Sequence, residues 1–166
     1  MLAPLRSTVF TIARMMTSGY SPTPRPQKLF WYQRCALIAA GSILLTLLIM
    51  SIWLAPDPRG IGTHEQLGLP PCTIRQVWGI RCPACGMTTS WAYFVRGQWF
   101  QAARTNLGGT ALAMLSALLA PWAMVSGLHG RWWGEPIGEK LAVAVGLVVV
   151  AVTLIDWGIR LLLDGS

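Results

Sequence analysis

Three long apolar runs, the first two free of charge, constrain this chain more than any other feature. The first, Ala36 to Ala55, reads ALIAAGSILLTLLIMSIWLA. As a helix it is about 30 Å long, the thickness of a bilayer's hydrocarbon core. Trp31 and Tyr32 precede it and Trp53 sits near its far end, where interfacial aromatic anchors belong. Pro56 and Pro58 stop it. The second run extends from about Gly109 to Leu128 and contains Pro121, which neighbouring helices in a membrane tolerate. The third runs from about Leu141 to Leu163, ending in a segment that carries Asp156 and Arg160. Its core is rich in β-branched residues, but strands rarely exceed about ten residues, so a helix in lipid is the expectation.

Composition agrees. Only 11% of the 166 residues are charged, against about 25% in soluble domains. A chain this poor in charge cannot cover a globule with hydrophilic surface, and its mean hydropathy is +0.51. The net charge of +7 does not point to nucleic acid. The basic residues are scattered, and no aromatic-basic platform accompanies them. In a membrane protein, excess Lys and Arg set topology against anionic lipid. The expected fold is therefore all-α integral membrane, with three transmembrane helices. The expected partners are the lipid bilayer and a membrane protein or a second copy of the chain.

Residues 1–34 read as a basic, flexible tail with Arg6, Arg14, Arg25, Lys28 and Arg34 and no acid. Residues 35–166 read as the membrane domain. The positive-inside rule puts the tail in the cytoplasm. Three spans then place residues 57–108 and the C-terminus outside, although that connection carries Arg59, Arg75, Arg81, Arg96 and Arg104. The expected location is a bacterial inner membrane. A further partial insertion around Met87 to Phe94 is the competing topology.

The 57–108 connection holds Cys72, Cys82 and Cys85, the last two within Cys82-Pro83-Ala84-Cys85-Gly86. Pro83 suits the first position of a helix. That predicts a short helix following the motif, with Cys82 as its N-cap and Cys85 in its first turn. The helix dipole and Arg81 would then favour thiolates, most at Cys82. Thiolates in this pattern serve three chemistries. One is structural, fixing the connection. Another is thiol–disulfide exchange at Cys82 and Cys85, with Cys72 as partner and electrons passing to a quinone or a second dithiol. The third is a zinc site from Cys72, Cys82 and Cys85 with His64, although the second Cys pair of common zinc sites is missing. The sequence leaves these open and favours a non-enzymatic role. Cys35 lies at the other end of the first span and should not join the cluster.

The pattern Cys72-x9-Cys82-Pro-Ala-Cys85-Gly-Met-Thr88 resembles the bacterial domain-of-unknown-function family 2752. Those small multi-pass membrane proteins share a Cys-Pro-x-Cys-Gly-x-Thr-Arg segment with an earlier cysteine. Gly97, Ala102 or Ala103, and Asn106 follow the family's order of Gly, Ala and Asn. The resemblance spans residues 70–130 and implies the architecture but no established activity. The family's Arg after the Thr is Thr89 here; Arg96, two helical turns on, is the expected substitute.

Among the other candidates, Asp156 and Arg160 share a helix face four residues apart, which suggests a structural pair at the span's end. Gly109, Ala113 and Ala117 form a small-residue stripe suited to helix packing within the chain. His129 beside Trp132 and Trp133 reads as an interfacial loop residue. No Ser-His-Asp set, phosphate loop or paired-carboxylate site can be assembled.

Overall fold

The computed structural model describes residues 28–134 and 137–164. The greater part of the basic tail, with Arg6, Arg14 and Arg25, lies outside the described residues. Six α-helices follow in order: α1 Trp31–Trp53, α2 Thr73–Trp78, α3 Met87–Phe94, α4 Trp99–Thr105, α5 Leu107–His129 and α6 Glu139–Asp164. A 3-10 turn, Thr63–Leu67, precedes α2. Among the described residues there is no strand, only an isolated bridge between Lys28 and Arg131. The helices α1, α5 and α6 are long and apolar enough to cross a membrane. The chain is an all-helical membrane protein.

The helices overrun the apolar runs, because chain ends that pass the hydrocarbon core still satisfy their backbone best as helix. Arg34, counted with the tail in the sequence, lies in α1, where its guanidinium donates to the Gly127 and Leu128 carbonyls at 3.1 and 3.2 Å. It thereby satisfies the last turn of α5. At the other end, Arg96 donates to the Ser51 and Ile52 carbonyls at the end of α1. Arg96 thus caps a span and does not line the cysteine basin described below. Thr89 itself is fully buried, with its hydroxyl 2.8 Å from that of Thr63.

Helix α5 is the hub of the bundle. A third of its apolar window is buried within the protein, against none for α6. The buried core is small and polar: Thr110, Ala113, Ser116, Ala120, Ala123 and Ser126 lie along α5. Small residues let helix backbones approach where lipid offers no hydrophobic drive for association. Gly41 of α1 shows the effect, since a Cβ there would lie 2.9 Å from Met124 Cγ and 3.1 Å from the Ala120 carbonyl oxygen. The stripe differs from the expected one in one member. Gly109 and Ala113 are buried, Ala117 is exposed, and the buried line continues through Ser116 and Ala120. Pro121 interrupts nothing, and α5 runs through it to His129.

Contacts between helix ends set the arrangement. Leu29 N–H donates to the Gly130 carbonyl, joining the start of α1 to the end of α5. The Leu107 N–H approaches the Asp156 carboxylate at 3.4 Å, joining the start of α5 to the last turns of α6. Arg160 pairs with Asp156 at 2.9 Å and also donates to the Arg104 carbonyl. The connection between α1 and α5 therefore shares one end of the bundle with the close of α6. Helix α3, at Met87–Phe94, is too short to cross a bilayer.

Candidate metal centre

The three cysteines of the connection converge. The sulfurs of Cys72, Cys82 and Cys85 all lie within 4.8 Å of one another. Cys35 is exposed on α1 and stands outside the group. His64 lines the same basin as the thiols but is not among the ligand atoms brought together.

Each thiol is placed by a different device. Cys72 follows Pro70 and Pro71 and occupies the N-cap of α2. Its sulfur makes no close capping bond, yet the Arg75 N–H, and to a smaller degree its neighbours Cys82 and Ile74, favour the thiolate. The Cys72 thiol is held below its ordinary value by that amide. Cys82 and Cys85 lie on two overlapping turns, with Cys85 N–H on the Cys82 carbonyl and Met87 N–H on the Ala84 carbonyl. The motif is thus a turn, and α3 begins at Met87 with Gly86 as its N-cap. This corrects the expected capping by Cys82 and the expected entry at Pro83. Burial, and then hydrogen bonding with the Cys72 and Cys85 thiols, pushes the Cys82 thiol up to about 11. Of these two, Cys72 forms its thiolate more readily than Cys82.

Asn106 holds the turn in place. Its side-chain N–H groups donate to the Pro83 and Cys85 carbonyls, both at 3.1 Å. Its Oδ1 accepts from Gly109 N–H at 2.6 Å and so caps α5. Trp157 of α6 donates from Nε1 to the Arg81 carbonyl at 2.6 Å, just before Cys82. Gly86 has φ +82°, and a Cβ there would meet the Gly60 carbonyl oxygen at 2.6 Å. A side chain is excluded at that position by both conformation and space. Sequence reasoning placed Asn106 in a family pattern without a role and missed Trp157. A partner that acts through tertiary contact leaves no local signal.

The thiols open onto a basin of about 770 Å³, whose rim carries Arg59, His64 and Arg75. Arg59 is paired with Asp57 at 2.7 Å, and that guanidinium holds the Asp57 carboxyl below the usual range.

The donor set fits a thiophilic ion. Zinc binds thiolate sulfur at about 2.3 Å, which puts tetrahedral sulfurs about 3.8 Å apart. Three sulfurs already within 4.8 Å reach that spacing by small side-chain adjustments. Residues 72–120 match the model of a family described as "Protein of unknown function (DUF2752)". That segment begins at Cys72, takes in the Cys-Pro-Ala-Cys-Gly turn and Asn106, and ends within α5. No curated protein and no solved structure matches the chain.

Proposed function

We propose that the protein is a non-enzymatic membrane module in which Cys72, Cys82 and Cys85 bind zinc and thereby fix the connection between the first two spans. The carrying observation is the approach of the three sulfurs to within 4.8 Å of one another. The ion takes three thiolates, and His64 or water supplies the fourth position. When bound, zinc supplies a closed cross-link and a local positive charge. That charge stabilises all three thiolates, including the buried one.

Thiol–disulfide exchange is the weaker reading. A good leaving thiol has a low pKa, whereas Cys82 is raised to about 11. In the proposed topology the N-terminus is cytoplasmic and the basin faces the exterior of a bacterial inner membrane. The support is the acid-free basic tail.

The test is metal analysis of the protein purified in detergent with zinc supplied. One zinc per chain is expected, and each of Cys72→Ser, Cys82→Ser and Cys85→Ser should release it. A metal-free wild-type protein carrying a disulfide that mild reductant opens would replace this reading with the redox one. Stoichiometric copper(I) instead of zinc would keep the site and change its ion.

A further inference from the structure

Helix α4 and the last turns of α6 border an open groove of about 460 Å³. Phe100 and Arg104 line it from α4, and Asp156, Ile159, Arg160 and Leu163 from α6. Ile159 and Leu163 are exposed, on a span none of whose apolar window is buried within the protein. That wall faces lipid. On α4, Trp99 and Phe100 are exposed side by side, the aromatic pattern of a bilayer interface. The groove therefore opens at the edge of the membrane.

Its charged groups are two guanidiniums and a carboxylate. Arg160 engages Asp156 through Nε and Nη2, and its Nη2 also donates to the Arg104 carbonyl at 2.8 Å. Its Nη1 has no protein acceptor among the described residues. Arg104 is exposed, and its guanidinium lies over the Phe100 ring, 4.5 Å from the centroid. No protein oxygen among the described residues accepts from that guanidinium. Stacking on a ring orients a guanidinium and leaves the N–H groups on its edge open. Asp156 offsets one of the two cations, so the groove carries one net positive charge beside apolar walls.

We propose that this groove binds an anionic phospholipid. Its phosphate takes the open N–H groups of Arg104 and of Arg160 Nη1, while an acyl chain runs along Ile159 and Leu163. Guanidinium forks match phosphate oxygens. The apolar wall favours a phosphate that arrives with a hydrocarbon chain, and the surplus positive charge favours a headgroup of net negative charge. None of these residues lines the thiol basin, so the proposal is independent of the zinc site.

The full-length protein, stripped of lipid in a non-ionic detergent, is titrated with dioctanoyl phosphatidylglycerol, with dioctanoyl phosphatidylcholine and with inorganic phosphate. Bound molecules are counted by native mass spectrometry. One phosphatidylglycerol per chain should bind about fivefold more tightly than phosphatidylcholine, the worth of one basic residue beside an anionic headgroup. The preference should shrink as salt is raised. Arg104→Gln should erase it with helix content unchanged. Arg131→Gln, which removes an exposed arginine at the opposite end of the bundle, should keep it. Equal affinity for the two lipids, a preference indifferent to salt, one that survives Arg104→Gln, or one lost equally in Arg131→Gln overturns the proposal. The lipid and salt comparisons on the wild type decide it even if Arg104→Gln fails to fold. Displacement of phosphatidylglycerol by inorganic phosphate would assign the groove to a free anion and overturn the lipid.

Discussion

Asn106 and Cys85 are joined by a hydrogen bond of 3.1 Å from the asparagine side chain to the cysteine's backbone carbonyl. The same asparagine caps α5 through its Oδ1. The position of a thiol-bearing turn is thereby tied to the first turn of a membrane span. Tilting or shifting α5 moves the site.

Asn106→Ala should remove the cap and both turn bonds at once. Each neutral hydrogen bond contributes about 1 kcal/mol and a cap about as much, so a loss of about 2–3 kcal/mol is expected. Asn106→Asp keeps the capping oxygen but loses the donors. It should retain more stability than Asn106→Ala while retaining metal equally poorly. Thermal melts and zinc content measured on both variants check this. Equal zinc retention in Asn106→Asp and the wild type would show that the turn needs no clamp.

Cys72 and Cys82 should titrate unequally in the reduced, metal-free protein. The thiolate is the nucleophile, so a lowered pKa brings alkylation to lower pH and a raised one delays it. Cys72 lies below the ordinary 9.0 and Cys82 near 11. Between those limits Cys72 should be labelled while Cys82 is spared. Iodoacetamide labelling across pH 7 to 11, resolved by peptide mass spectrometry, reads the order directly. Cys82 labelling first would show that burial does not govern its thiol.

Two glycines of positive φ offer a matched comparison. Gly86 at φ +82° has a carbonyl oxygen 2.6 Å from where its Cβ would stand, whereas Gly79 at φ +69° has nothing within 4 Å. Gly79→Ala bears conformational strain alone, about 1 kcal/mol. Gly86→Ala bears that strain plus displacement of the Gly60 segment, and should lose about 3 kcal/mol or more and its zinc. Chemical unfolding in mixed micelles compares them. Equal losses would mean that the Gly60 contact yields freely.

Reporter fusions at Gly68 and after Ser166 should both report an exterior location if the tail is cytoplasmic. A cytoplasmic signal from either would defeat the proposed topology, and one from Gly68 would put the thiols in a reducing compartment. Zinc would be favoured further there.

The spans were legible because exclusion of charge over some twenty residues has few explanations other than lipid. Their ends were less so, because Trp31 and Arg34 extend α1 for reasons of interface and of contact with Gly127. The Cys-Pro pair was misread for a physical reason. Proline at a helix start is a local preference, but the carbonyls of this turn are taken by Asn106, twenty-one residues beyond Cys85. Gly86 was in plain view, and its positive φ marks the true boundary. Ala117 was misplaced because a strict spacing of four drifts around a helix of 3.6 residues per turn. The buried line alternates threes and fours.

Helix α6 has consequences for the order of assembly during synthesis. None of its apolar window is buried within the protein, while α1 and α5 meet through close backbone approach at Gly41 and Gly127. The first two spans can therefore pair in the translocon before the third is made. The third is latched by Trp157 to Arg81 and by Arg160 to Arg104, both late in its length. Until residues 156–160 have been translated, the segment before Cys82 has no tether from α6. A nascent chain arrested after residue 138 should show the α1–α5 pairing by cysteine cross-linking, yet hold zinc loosely. Completion of the site would then be a checkpoint on synthesis of the last helix.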